Sequence, residues 1–115
     1  MSNYKKSKSE TQRIAESTKI LDKYPDRVPI IVEKGLKSKI KDIDKNKFLV
    51  PVDMSFGQFM YVIRKRIKLD STEALFVFVN NILCNNALNI NEIYNTYKDK
   101  DGFLYITYTS ENTFG

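Results

Sequence analysis

The run Val28 to Val32, VPIIV, constrains the fold more than any other segment. Its β-branched residues favour an extended strand, in which Val28, Ile30 and Val32 point one way and Pro29 and Ile31 the other. Both faces are therefore apolar. Packing under one helix accounts for one face and leaves the other without a partner. Pro29 brings no N–H, so it predicts either an edge position or a place where the ladder does not need that donor.

Patterning along the rest of the chain supplies the other elements. The first nine residues have little apolar periodicity and predict fraying or a weak helix. Ser9 or Thr11 caps a helix in which Ile14, Thr18 and Leu21, with Ile20 beside them, form the apolar stripe; it stops before Pro25. After a basic, turn-rich connection over 35–44, Lys47 to Val52 reads as a strand containing Pro51. Ser55 starts the clearest helix, Phe56 to Leu69, with one stripe of Phe56, Met60, Ile63 and Ile67 and a second of Phe59, Val62 and Arg66. The first stripe suffices for a core; the second asks for another partner. Leu75 to Val79 reads as a buried central strand, Asn80 to Asn95 as a turn leading into a short helix over Asn89 to Tyr97, and Phe103 to Tyr108 as a last strand. A helix crossing between an early hairpin and an apolar strand is the pattern of a β-grasp, so the expected class is α+β with a mixed four-stranded sheet.

At 115 residues the chain has room for one domain, and 42% apolar content is enough for a core. Its longest uninterrupted apolar stretch, Ala74 to Val79, is far too short to span a bilayer. The amino terminus MSNYKKSKSE has no apolar signal region, and a lone Cys84 cannot form an internal disulfide, so a reducing cytoplasmic compartment is expected. The chain contains no histidine, which removes the usual general base, the Ser-His and Cys-His dyads and most zinc sites. With no histidine and no cation nearby in sequence to activate it, Cys84 reads as a structural thiol. No catalysis, metal or cofactor is expected.

The net charge of +5 divides unevenly, +9 over residues 1–69 and −4 over 70–115. Such a split offers a basic face to acidic partners, or simply solvates the surface. The cluster Arg64, Lys65, Arg66 and Lys68, with the lysines of 34–41, raises the alternative of a domain that binds nucleic acid or an anionic surface. No aromatic stacking motif accompanies these residues, and Arg64 and Arg66 lie on a helix needed for packing.

Four blocks keep their order and spacing over nearly the whole chain: YPDRVPIIVEK from Tyr24, DIDKNKFLVP from Asp42, GQFMYVIRKRI from Gly57, and the terminal DGFLYITYTSENTFG. Together they resemble the autophagy ubiquitin-like modifiers of the GABARAP branch. The resemblance implies a ubiquitin-like fold preceded by two short helices, with a helical extension over 1–24, a domain over 25–109 and a flexible conjugation tail over 110–115.

The resemblance further implies a protein that is not an enzyme. E1-like and E2-like enzymes would activate the Gly115 carboxylate and join it to the amine of phosphatidylethanolamine, and a cysteine protease would process or reverse that link. A residue without a Cβ at the end of a short polar tail suits entry into a narrow enzyme cleft, and two acyl chains gained at once anchor a soluble domain firmly. The protein would thus be cytoplasmic and then attached to autophagosomal membranes. Receptor peptides of the form aromatic-x-x-aliphatic with acidic neighbours would add beside the second strand by β-augmentation. On the family's pattern the aromatic pocket comprises Glu16, Ile20, Pro29, Ile31, Lys47, Leu49 and Phe103, and the aliphatic pocket Phe48, Val50, Pro51, Met54, Phe59, Val62 and Arg66. Arg27 and Lys45 would meet the acidic flank, and Phe76 and Phe78 the protease or partners on the opposite face. For Phe59, Val62, Phe76 and Phe78, packing in the core is the competing role. Phe48, Met54 and Cys84-Asn85 depart from common family residues. A monomer that does not bind nucleic acid is expected; an adaptor with the same groove but no covalent step is the remaining rival.

Overall fold

A computed structural model describes residues 2–110. The elements in order are α1 (Asn3–Ser7), α2 (Glu10–Lys23), β1 (Arg27–Lys34), β2 (Lys47–Pro51), α3 (Phe56–Arg66), β3 (Phe76–Val79), β4 (Ile82–Leu83), α4 (Ile90–Tyr97) and β5 (Leu104–Thr109). The strands form one mixed sheet in the order β2-β1-β5-β3-β4, with β1 and β5 parallel and the other pairs antiparallel. The four expected strands are all present. The fifth, β4, has two residues and folds back on β3 through Asn80 and Asn81, whose φ values of 53° and 63° give the tight hairpin turn that asparagine tolerates. It lies in a segment expected to hold only a turn and a helix.

One other expectation needs correcting, and the two-sided one for Pro29 resolves to its second half. The centre of the sheet is β5; β3, expected there, is one place from the edge. Pro29 is not on an edge, because β1 lies between β2 and β5. The Val32 N–H donates to Asn46 O and the Val52 N–H to Asp26 O, so even-numbered residues of β1 pair with β2 and odd-numbered ones face β5. The β5 ladder starts only at Ile30 opposite Leu104. Pro29 thus lies just before the point where an N–H is first required, the second of the two places a strand proline can occupy.

Both long helices open on a capping box. Ser9 and Gln12 exchange side-chain and backbone bonds of 3.2 and 2.9 Å at α2, and Ser55 and Gln58 do so at 3.1 and 2.9 Å at α3. Helix α3 ends three residues before the expected Leu69. The Leu69 N–H reaches back to Arg64 O at 3.3 Å while Lys68 turns into the left-handed region at φ 57°, a Schellman-type ending without the usual glycine.

The main core lies between α3 and one face of the sheet. Phe56, Phe59, Ile63 and Ile67 of the α3 segment bury against Val28, Ile30, Val32, Phe48, Val50, Leu104, Ile106 and Tyr108, and Ile90, Ile93 and Tyr94 of α4 join them. Tyr108 extends its hydroxyl to Lys41 O at 2.9 Å, and burial pushes its pKa up to about 12. On the opposite face α1 and α2 cover a smaller cluster of Tyr4, Ile31 and Phe103, with Ile20 and Tyr105 against it. This is the partner of the second apolar face of VPIIV. The buried residues of α2 are Arg13 and Ser17, while Ile14, expected to lead its apolar stripe, is 40% exposed.

Candidate functional site

Strand β2 is the outer strand on its side, and alternation sorts its residues. Phe48 and Val50 point into the α3 core, whereas Lys47, Leu49 and Pro51 lie on the other face, opposite Ile31, Pro29 and Arg27 of β1. The same parity turns the backbone groups of 47, 49 and 51 away from β1. Pro51 lacks an N–H and its carbonyl accepts from Met54 N–H at 3.2 Å, so the outward groups are those of Lys47 and Leu49. Arg27 covers one of them: its Nη1 donates to Leu49 O at 3.1 Å.

Two depressions flank this edge. Ile20, Lys47 and Leu49 line the first, together with Ile43, Asp44, Lys45 and Asn46, which were not expected there. The other expected members of the aromatic pocket lie deeper or are otherwise engaged. Pro29 is buried, and Ile31 and Phe103 are fully buried beneath Tyr4, whose ring meets Phe103 edge-on at 5.3 Å. Glu16 accepts from the Tyr4 hydroxyl, from Lys47 and from Lys8. Burial raises the Glu16 pKa, but the Lys47 and Tyr4 hydrogen bonds outweigh it and hold the carboxylate below its ordinary value. Burial, and then the bond to Glu16, pushes the Tyr4 phenol far up. Tyr4 was missed: it is a lone aromatic in a segment with no apolar period.

Pro51, Met54 and Val62 line the second depression, with Asp53, Gly57, Gln58 and Tyr61. Phe48, Val50 and Phe59, expected to line the aliphatic pocket, are core residues; Phe48 and Phe59 pack edge-on at 5.6 Å. The second α3 stripe therefore splits, Phe59 going inward while Val62 faces the groove. Arg66 pairs with Asp44 at 3.0 Å and lies 5.9 Å from the Phe48 ring, and Lys45 sits over the same ring at 5.3 Å. These cations, with Arg27, surround the edge. On the far strand β3, Phe76 is half-buried and Phe78 buried.

The helical extension is held by polar groups that sequence patterning did not single out. Asp101, fully buried, accepts from Arg13 Nη1 at 2.5 Å, from the Tyr105 hydroxyl at 2.5 Å and from the Phe103 N–H at 2.8 Å, while Ser17 Oγ donates to Asp101 O at 2.6 Å. Gly102, at φ +90°, closes this turn; a Cβ there would come within 2.3 Å of Ser17 Oγ. Lys5 pairs with Asp99 at 2.6 Å, and though burial raises that carboxyl, the Lys5 bond and the Asp101 N–H draw it below its usual range. Gly115, the expected conjugation point, and the tail after Ser110 lie outside the described residues.

The chain has extensive likeness to known proteins. The profile of the family described as "Autophagy protein Atg8 ubiquitin like" matches residues 12–115. Autophagy-related protein 8a of Arabidopsis thaliana is 54% identical over 99% of this chain and 93% of its own length, and autophagy-related protein 8 of Kluyveromyces lactis is 57% identical over 90% and 84%. The crystal structure of Trypanosoma brucei ATG8 superposes with a TM-score of 0.92 at 44% identity, covering 100% of this chain and 99% of that one. A Plasmodium falciparum Atg8, solved in complex with a Plasmodium falciparum Atg3 peptide, does so at 0.89 and 37%, covering 96% and 98%. Plant and fungal relatives fix the family rather than one branch of it. On sequence and fold alike, the chain belongs to the ATG8 family of autophagy ubiquitin-like modifiers, and it is not an enzyme.

Proposed function

We propose that this modifier is joined through the Gly115 carboxylate to phosphatidylethanolamine, and that its β2 edge receives extended peptides whose aromatic and aliphatic anchors enter the two flanking depressions. The observation that carries the peptide half is the placement of outward backbone groups at Lys47 and Leu49 between those depressions. A peptide strand pairing there gains backbone bonds along the edge and buries one anchor on each side. An acidic flank would draw Arg27 off the Leu49 carbonyl, freeing the group the peptide needs while neutralising its own charge. Each buried anchor contributes about 1.5–3 kcal/mol, much of it offset by ordering the peptide, so micromolar affinity is expected.

The solved Plasmodium complex makes an Atg3-like, E2-type segment a natural occupant, followed by receptor peptides once the protein is on the membrane. An E1-like enzyme and a deconjugating cysteine protease complete the partners. The same reading makes residues 1–24 an extension, 25–109 the ubiquitin-like unit and 110–115 the conjugation tail, on a monomer that moves between cytoplasm and autophagosome.

Reconstitution with the conjugating enzymes and liposomes containing phosphatidylethanolamine tests the covalent half: Gly115→Ala should stay soluble, and an unchanged rate of membrane attachment contradicts it. For the groove, Leu49→Ala should weaken an aromatic-x-x-aliphatic peptide by about tenfold in calorimetric titration. Leu49 is preferred to Phe103, whose complete burial would confound binding with folding. An unaltered affinity removes the assignment.

A further inference from the structure

Leu36 is the most exposed large apolar residue described, at 85% of its surface. A single exposed leucine is ordinary; its setting here is not. It stands at the tip of a turn, Gly35 to Ser38, closed by Ser38 N–H on Gly35 O at 3.1 Å. The segment Lys34 to Lys41, KGLKSKIK, holds four lysines and no acid. Lys34 is engaged by Asp42 at 2.9 Å and Lys41 by the Lys68 carbonyl at 3.3 Å. Lys37 and Lys39 are exposed and have no ion-pair partner among the described residues.

Both ends of this turn are fastened to the end of β5. The Gly35 N–H donates to Tyr108 O at 2.9 Å, the Ser110 N–H donates to Ser38 Oγ at 3.3 Å, and Ile40 is anchored in the core. The leucine and its lysines are thus held beside the point where the chain leaves the domain towards Gly115. Gly115 is five residues beyond Ser110, a covalent reach of at most about 18 Å.

We propose that the Lys34–Lys41 turn is a second membrane contact, with Leu36 entering the interface of an anionic phospholipid bilayer and Lys37 and Lys39 meeting its headgroups. The proposal rests on the conjugation reading, since a lipid on Gly115 brings this corner of the molecule against the bilayer. One apolar side chain with a few lysines binds too weakly to recruit the domain by itself; next to a covalent tether it acts at high effective concentration and sets the orientation of the domain. The groove at Pro51 and Tyr61 is at the opposite end of β1, since Pro51 pairs with Arg27, roughly 23 Å along the strand from Lys34. A domain resting on Leu36 therefore directs the Pro51 and Tyr61 depression away from the lipid, while the Lys47 end of the edge lies nearer to it.

The chain has no tryptophan, so Leu36→Trp is a unique reporter. The full chain carrying Cys84→Ser, Gly115→Cys and Leu36→Trp is coupled to a maleimide-bearing phosphatidylethanolamine in vesicles, which bypasses the enzymes and separates failure of this contact from failure of enzymatic conjugation. On vesicles with about one-third phosphatidylserine, the emission should shift to the blue and brominated acyl chains should quench it, at least twofold more than on phosphatidylcholine vesicles bearing the same coupling lipid. Lys37→Glu with Lys39→Glu, or high salt, should remove most of that difference. Tyr61→Trp in place of the Leu36 reporter should remain unshifted. An unshifted, unquenched Leu36→Trp on the tethered anionic vesicles overturns the proposal. So does a result in which the lysine substitutions slow transfer from the conjugating enzymes but leave the tethered emission unchanged, which would make the turn a protein contact.

Discussion

The two faces of the sheet are covered by different chemistry. Under α3, Phe56, Phe59 and Ile63 meet an apolar wall of β1, β2 and β5 with almost no polar group between them. Under α2, docking depends on Arg13, Ser17 and a fully buried Asp101, with only Tyr4, Ile31 and Phe103 forming an apolar centre. Burial of apolar area is tolerant of small shifts and sums over many contacts, whereas a buried ion pair stabilises only while every partner is in place. The first face makes the domain stable; the second fixes where two helices lie relative to the β2 edge.

Truncation on the apolar face gives the largest effect. Phe59→Ala should cost about 3–5 kcal/mol in denaturant unfolding, and a loss below about 1 kcal/mol would show that this face is not the main source of stability. The polar face is tested next: Asp101→Ala should lower Tm by roughly 10 °C or more, because it strands the Arg13 guanidinium. Replacing both, Arg13→Met with Asp101→Leu, should recover much of the loss. A double substitution as harmful as the single would mean that Tyr105 and the Phe103 N–H depend on that carboxylate more than Arg13 does.

Acid should separate the faces without mutation. Glu16 and Asp99, which hold α1, both have folded pKa values below their ordinary ones. Their contribution is complete above the unfolded carboxylate range and is lost as pH falls through the lowered folded values. Hydrogen exchange of the α1 amides should quicken in that acidic window while those of β1 and β5 stay protected. Simultaneous loss of both would erase the distinction. The smallest effect lies outside both faces: Lys68→Gly should raise stability by about 0.5–1 kcal/mol, since lysine holds φ 57° at the α3 ending.

The same contrast explains what could be read in the sequence. The α3 face was legible because phenylalanine and isoleucine recur at helical spacing behind Ser55, and the order of the strands followed from short β-branched runs. The α2 face was not, because arginine and serine count as surface residues in any hydrophobic pattern, and their buried partner Asp101 is eighty-eight and eighty-four positions away. That is why Ile14 was expected inside and Arg13 was not singled out. At the edge, resemblance supplied both pockets, yet simple alternation already separates Leu49 from Phe48 and Val50, and the structure follows the alternation. Tyr4 and the Asp53, Gly57, Gln58 and Tyr61 members of the second depression carried no signal, since each depends on distant elements meeting.

The strand at the centre of the sheet is the last one among the described residues. Until Leu104 to Thr109 has been synthesised, β1 and β3 have nothing between them, and a nascent chain released early lacks the element that joins its two halves. Completion of the sheet and delivery of the residues that follow it are therefore successive events in translation. A polypeptide cut short before Leu104 lacks the element that joins β1 to β3, so the terminal attachment proposed above would be closed to such a product by topology alone.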